Sequence, residues 1–151
     1  MKRASLRWMG PMAAALLWLG PACKLEKPKD IFRAALDGDL ARVEALVSGN
    51  SELVNAQNPS GMTPLHLAAW EGHAGVADFL LQHGADPNLA EANGDTPLHF
   101  AASSGYTEIA RSLLEHGAQV NARNKDGKTP LSRGRPRPEI AELLKKHGGV
   151  E

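Results

Sequence analysis

Apolar residues recur along the chain at spacings of three and four, which place side chains on one face of an α-helix. Val76, Phe79 and Leu80 form one such group, and Ile109 and Leu113 belong to another. Glycines stand between the groups and permit sharp turns of the backbone. The pattern predicts amphipathic helices that each bury one apolar stripe and are joined by tight turns.

The predicted helices belong to a sequence unit that repeats every 33 residues. A period of this length indicates similar structural units that stack and bury their apolar faces against one another. The residues that keep the period are Gly61, Gly94 and Gly127; Thr63, Thr96 and Thr129; Pro64, Pro97 and Pro130; Asn55, Asn88 and Asn121; and Gly84 and Gly117.

Each repeated residue has a mechanical role in a turn–helix–turn–helix unit. Thr63 precedes an apolar run, so its hydroxyl can cap a helix, and Pro64 suits the first helical position. Gly72 permits a turn between two helices, and Gly84 suits the left-handed residue that ends the second. Gly61 suits the positive-φ position of the turn that opens the unit.

Two units contain the motif Thr-Pro-Leu-His-x-Ala, which starts at Thr63 and again at Thr96. The sequence from about residue 30 to 151 therefore resembles the ankyrin repeats. The resemblance implies that His66 and His99 stiffen the fingers through local hydrogen bonds. It also implies an all-α ankyrin-repeat solenoid of about four helix-turn-helix repeats with β-turn fingers, at about 30–57, 58–90, 91–123 and 124–151.

The first and last units depart from the motif. The first lacks Thr-Pro-Leu-His and is more polar than the units that follow. The last has Ser132 in place of the histidine, and Gly134, Pro136 and Pro138 are expected to prevent its first helix. Polar terminal units are what a repeat array needs to close its apolar core, so we expect an array capped at both ends.

The first 23 residues have the pattern of a secretory signal: a positive start, a short apolar run and small residues before Cys23. This ending resembles the lipobox of bacterial lipoproteins, although Leu19 stands four rather than three residues before the cysteine and Pro21 is atypical. Either Cys23 is acylated, or ordinary cleavage near Ala22 leaves a free thiol. We expect an exported protein, periplasmic or membrane-anchored as a lipoprotein, with an exposed linker over 24–29.

The charge of the chain is balanced overall, with 17 basic and 17 acidic residues, but it is unevenly distributed. Residues 30–110 hold 2 basic and 11 acidic side chains, whereas residues 111–151 hold 9 basic and 5 acidic ones. The acidic body argues against general nucleic-acid binding, which needs a broad basic surface. The asymmetry is expected to steer charged partners toward one end.

The sequence offers no pattern typical of an active site. Its six histidines include no pair at i and i+4 with the adjoining glutamate of zinc hydrolases, and it lacks a Gly-x-Ser-x-Gly motif and a phosphate-binding Gly-x-x-x-x-Gly-Lys loop. The single cysteine, Cys23, excludes an intrachain disulfide and lies outside the repeats. We expect no enzymatic activity, metal or cofactor.

Residues that the repeat does not dictate are the candidates for partner binding. In ankyrin repeats the finger tips and the exposed side of the first helix line a concave groove that binds proteins. Trp70 is either an anchor for a partner or packed against a neighbouring finger. The candidate binding residues are Met62, Trp70, Glu71, Asn93, Asp95, Ser103, Lys125 and Lys128.

These observations favour a monomeric, non-catalytic module of the cell envelope that binds a protein partner through its concave face. A narrower alternative is a protective, immunity or stress-defence accessory of the envelope. Two other classes are a hydrolase-like enzyme that uses groove histidines and carboxylates, and a structural spacer. The basic loop from Arg133 to Pro138 is either a degenerate cap or a contact for anionic lipid or an acidic partner.

Overall fold

A computed structural model describes residues 29–133 and 136–151. In this part of the chain the secondary structure is entirely helical, and α1 begins at Lys29, which is the last residue of the expected linker. The helices are α1 (Lys29–Asp37), α2 (Leu40–Gly49), a 3-10 helix (Ser51–Asn55), α3 (Pro64–Glu71), α4 (Ala74–Gln82), α5 (Pro97–Ser104), α6 (Thr107–Glu115) and α7 (Pro138–Lys146).

The helices form two layers. In the inner layer α3 packs between α1 and α5, and in the outer layer α4 packs between α2 and α6, with α7 against α6. Within a repeat the two helices pack on each other, as α3 does on α4 and α5 on α6. The buried residues are mostly Leu, Val, Ile and Ala, and the alanines Ala68 and Ala101, fully buried on the inner helices, let neighbouring helices approach closely. The predicted all-α repeat solenoid is confirmed.

The first helix of each internal repeat begins as the sequence predicts. Thr63 and Thr96 are N-caps in extended conformation, and each forms a reciprocal capping box with the histidine three residues later, His66 or His99. The box satisfies N–H groups that lack partners inside the helix, and the proline that follows has no N–H to satisfy. The start of the helix is therefore determined by sequence that lies within one turn of it.

The turn between the two helices of a repeat requires glycine. Gly72 ends α3 with φ of 86°, in the left-handed region that residues with a Cβ rarely adopt. A Cβ at this position would also lie 2.5 Å from the ring of Tyr106 in the next repeat. The turn thus combines a backbone requirement with close packing between repeats.

Consecutive repeats are joined by polar contacts that recur with the sequence period. The His66 ring accepts a hydrogen bond from the Thr63 N–H at Nδ1 (3.0 Å), which leaves Nε2 to donate to the Asp95 carbonyl oxygen (3.1 Å). His99 makes the same two contacts, with Thr96 and with the Lys128 carbonyl oxygen (3.0 Å). Each histidine therefore holds its own turn, as the resemblance implied, and also reaches the next one.

The turns that precede the inner helices, residues 58–62, 91–95 and 124–128, are called the fingers below. Their tips are linked by backbone hydrogen bonds, from the Ala92 N–H to the Ser60 carbonyl (2.9 Å) and from the Lys125 N–H to the Asn93 carbonyl (2.9 Å). Gly94 has φ of 82°, and a Cβ there would lie 2.9 Å from the Lys125 nitrogen. The fingers thus form one continuous, hydrogen-bonded edge.

The last repeat differs from the others as predicted. After Thr129 the described residues form turns and irregular backbone until α7 begins at Pro138. Where His66 and His99 reach the next finger, the Thr129 hydroxyl donates instead to the Val150 carbonyl oxygen (2.6 Å). Ser132 occupies the histidine position, and its hydroxyl accepts from the Thr129 N–H (2.8 Å). The C-terminal residues therefore satisfy the polar groups that another finger would meet.

Candidate protein-interaction surface

The candidate binding residues lie on one surface, formed by the fingers and the exposed side of the inner helices, which we call the finger face. Trp70 is the most prominent of them, because its side chain is 49% exposed although it is large and apolar. Met62 is half-buried and packs partly against the core. The exposed polar candidates are Glu71, Asn93, Ser103, Lys125 and Lys128.

Trp70 is packed on one side and open on the other. Its ring lies 6.0 Å from that of Phe100 between centroids, in a tilted arrangement, and the Arg133 guanidinium carbon lies 4.6 Å above the centre of the Phe100 ring. Such aromatic and cation–π contacts fix the rings without covering them. Trp70 therefore packs against Phe100 of the next inner helix, and its outer side leaves an oriented apolar surface exposed.

Asp95 corrects an expectation from the sequence, because it is buried rather than exposed at a finger tip. Its carboxylate accepts from Arg133 Nη2 (2.7 Å) at one oxygen and from Asn124 Nδ2 (2.9 Å) at the other. The pair is buried unequally, with the Asp95 side chain 5% exposed and that of Arg133 28% exposed. The Asp95 carboxylate therefore fixes the positions of Arg133 and Asn124 from below the surface. A partner could contact it directly only by displacing these two bonds.

Arg133 itself is a structural residue of the finger face. Besides Asp95 and Phe100 it contacts Ser103, whose hydroxyl oxygen accepts from Arg133 Nη1 (3.1 Å). Arg133 thereby covers α5 where the described residues of the last repeat form no inner helix. This guanidinium is not available as a free cation for lipid headgroups, and Gly134 and Arg135 of the basic loop lie outside the described residues.

A polar cleft of about 250 Å³ opens between the last two fingers, lined by Asn93, Asp95, Asn124, Lys125, Asp126, Lys128 and Arg133. It brings together four of the candidate residues. Asn124 forms its floor, with its side-chain oxygen accepting from the backbone N–H groups of Asp126 (3.0 Å) and Lys128 (2.9 Å). Lys125 and Lys128 are exposed at the rim.

Glu91 and Phe100 contribute to the finger face although they were not among the candidate binding residues. Glu91 is 9% exposed and accepts from the backbone N–H groups of Asn93 (2.8 Å) and Asp95 (3.2 Å). Asn58 and Asn124 stand 33 residues before and after it and hold their own fingers in the same way. The period itself would have shown that this position orders the finger.

The two motif histidines are adapted to structure. Burial lowers the pKa of both His66 and His99, because desolvation outweighs the opposing hydrogen bonds to backbone carbonyls and the nearby carboxylates. Across the described residues, no three His, Cys, Asp or Glu side chains are grouped so that they could hold a metal ion. Every buried side-chain nitrogen and oxygen in that part of the chain has a hydrogen-bond partner. The buried polar groups of the described residues are thus already used within the fold.

Comparison with known sequences identifies the family. A family model described as ankyrin repeats (3 copies) matches residues 14–91, 31–124 and 86–151. The chain belongs to the ankyrin-repeat family. This ankyrin-repeat protein carries the binding architecture of its family, in which such repeats generally bind proteins. None of the described helices is long and apolar enough to cross a bilayer.

The chain is similar to parts of longer proteins. It is 38% identical over 82 residues to the 60 kDa lysophospholipase of Mus musculus, a match covering 50% of this chain and 14% of that protein. It is 39% identical over 62 residues to ankyrin repeat domain-containing protein 39 of Homo sapiens, covering 41% and 33%. It is 32% identical over 69 residues to the 2-5A-dependent ribonuclease of Mus musculus, covering 46% and 9%. The matches span a third or less of each relative.

Proposed function

We propose that this ankyrin-repeat protein is a non-catalytic module that binds a protein partner on its finger face, with Trp70 as the apolar anchor. The observation that carries the proposal is that Trp70 is half exposed yet oriented by Phe100, whose own ring is covered by Arg133. Tryptophan is enriched among the residues that contribute most to protein binding. An anchor that is already ordered loses little side-chain entropy when a partner covers it.

The remainder of the finger face supports the same function. Backbone bonds between the finger tips and the histidine contacts beneath them fix the positions of the variable side chains before a partner arrives. At one repeat position the side chain changes from the half-buried Met62 to the exposed Lys128, while Asp95 of the repeat between them is buried. Because the backbone repeats while these side chains differ, the face can distinguish partners by the residues that the repeat does not dictate.

The Trp70→Ala variant is expected to lose at least about 30-fold in partner affinity, since removal of a buried anchor costs about 2 kcal/mol or more. The partner is first captured by photo-crosslinking from a residue introduced at Ser103 of the full chain, and its affinity for each purified variant is then measured. The free energy of unfolding should fall by only about 1 kcal/mol, because half of the ring is already in water.

Two matched variants sharpen this test. Tyr106→Ala removes the other exposed aromatic side chain of the described residues, which lies at the start of α6 rather than on the finger face, and should leave affinity unchanged. Trp70→Phe keeps an aromatic ring and should recover most of the binding. Unchanged affinity of Trp70→Ala, with folding intact, would remove Trp70 from the interface.

We further propose that the protein is exported to the cell envelope and held there through Cys23. This residue lies outside the described residues, and its support is the signal-like sequence before it. Residues 24–28 would span at most about 18 Å, which would keep the repeats close to the membrane surface. An anchored module of this kind would present its finger face to a partner in the envelope.

Metabolic labelling with a palmitate analogue in the bacterial host is expected to mark the wild-type chain and to be absent from Cys23→Ser. The variant should also shift from the membrane fraction to the soluble periplasmic fraction, because the acyl chains supply the membrane affinity. Ser104→Ala serves as the control and should be labelled like the wild type. Equal labelling of Cys23→Ser and wild type would refute acylation at this residue.

A further inference from the structure

The cleft between the last two fingers carries positive charge that the protein does not neutralise. Lys125 and Lys128 are exposed at its rim, and neither takes part in any ion pair among the described residues. Arg133 and Asp95 within the cleft neutralise each other at 2.7 Å. Asp126, exposed between the lysines, offsets one of them, so the rim retains an excess of positive charge.

The backbone that carries the lysines is fixed. The Lys128 N–H is held by the Asn124 side chain (2.9 Å), and the Lys125 N–H by the Asn93 carbonyl (2.9 Å). Asn124 is itself anchored through its amide to the buried Asp95 carboxylate (2.9 Å). Both lysines therefore start from ordered backbone positions and line the same cleft, so a carboxylate bound there can meet two charged donors.

Arg133 makes the cleft continuous with the Trp70 surface, because it lines the cleft and also covers Phe100, against which Trp70 packs. Inner helices pack about 10 Å apart, so the step from the repeat of Trp70 to that of Lys128 is about 20 Å. An extended peptide covers about 3.3 Å per residue and needs about six residues for this distance. One extended segment can therefore reach both places.

We propose that the cleft binds the carboxylates of an acidic segment of the partner protein, with an apolar residue about six positions away on Trp70. This inference rests on the proposed function and specifies the chemistry of the partner. Charge also sets the direction of the segment. Residues 30–110 hold 11 acidic and 2 basic side chains and repel carboxylates, so the acidic part lies over the basic last repeat.

The test uses a fluorescein-labelled hexaglutamate peptide and the full-length chain at low ionic strength. Lys125→Gln with Lys128→Gln is expected to weaken binding about tenfold or more, because two charged donors to carboxylate are lost. The matched control is Lys145→Gln with Lys146→Gln, which makes the same change of charge at exposed positions of α7. This control should change affinity by less than about twofold, since only long-range attraction is altered.

Several outcomes would overturn the proposal. An equal loss in both double variants would show general attraction between charges instead of a site. Displacement of the peptide by inorganic phosphate at equal charge concentration would indicate a small-anion site. If the double variant binds phosphatidylglycerol vesicles more weakly than the wild type but binds hexaglutamate equally well, the cleft binds a lipid surface and not an acidic peptide.

The proposal for the cleft and the proposal for the module can fail separately. If the captured partner is lost in Trp70→Ala but retained with full affinity by the Lys125 and Lys128 double variant, the module stands and the acidic segment is refuted. If no partner depends on Trp70, the hexaglutamate titration still decides whether the cleft binds carboxylates, because it uses neither the partner nor Trp70.

Discussion

Arg133→Ala is expected to lower the free energy of unfolding by about 3 kcal/mol, measured by urea denaturation at pH 7. Removing one partner of a buried ion pair leaves the other charge without compensation, which costs about 3–5 kcal/mol. Asp95 would retain only the Asn124 amide, with its side chain 5% exposed. Because the Arg133 side chain is 28% exposed, water can reach part of the vacated space, and the lower end of the range applies.

A double-mutant cycle separates this pairing from the packing of Arg133 on Phe100. Asp95→Asn removes the charge, so Arg133→Ala made in that background should cost about 1–2 kcal/mol less than in the wild type. Arg123→Ala is the control, since Arg123 is exposed and bonds only to the Gly127 carbonyl among the described residues, and it should cost under about 1 kcal/mol. Strict additivity of the Arg133 and Asp95 changes would mean that the pair does not stabilise the finger face.

The parts of the fold that the sequence predicted depend on neighbours within a few residues or on the repeat itself. Thr63, Pro64 and His66 determine the start of α3 among themselves, and Gly72 ends it in the left-handed region. The same chemistry recurs one period later at α5. Helix starts and ends of this kind can be predicted from one sequence, because the residues that determine them lie within a single repeat.

The candidate site was predicted in part. Trp70, Lys125 and Lys128 are exposed as expected, since they occupy positions that the repeat leaves free. Asp95 occupies the same repeat position as Lys128 but is buried, because Arg133 returns from the irregular last repeat to bind it. No local pattern connects these two residues, and the contact forms where the repeat is broken.

Phe100 shows a second limit of reasoning from the period. It occupies the same repeat position as Leu67, which is buried, and the motif treats both as variable. Phe100 is only partly buried and lies between Trp70 and Arg133, because the described residues of the degenerate last repeat form no inner helix to cover it. The surface chemistry of an array thus depends on where the array ends.

His66→Ser is expected to lower the free energy of unfolding by about 3 kcal/mol at pH 7. The ring is fully buried, so its loss leaves a cavity, and the Asp95 carbonyl oxygen loses its 3.1 Å donor. The chain contains its own reference for this change, because Ser132 replaces the histidine in the last repeat and still accepts from the Thr129 N–H. The cap of α3 should therefore survive in the variant, and the loss of unfolding free energy should come from the broken contact between repeats.

The same variant tests the pH dependence of stability. Since burial lowers the pKa of His66 and of His99, the unfolded chain takes up protons below about pH 6.5 while the folded protein still holds both rings neutral. Stability must then fall as the pH is lowered from 7 toward 5, by at most about 1.4 kcal/mol per pH unit for each ring, until the folded protein also binds the proton.

In His66→Ser only His99 continues to contribute, so the plot of unfolding free energy against pH should be flatter than that of the wild type. His83→Ser is the control, because His83 is exposed at the end of α4 and bonds to the Phe79 carbonyl outside the core. If wild type and His66→Ser lose stability equally between pH 7 and pH 5, the neutral buried ring is not the source of the dependence. Neutral imidazole, with one nitrogen accepting and the other donating, is the form that allows His66 to hold two fingers at once.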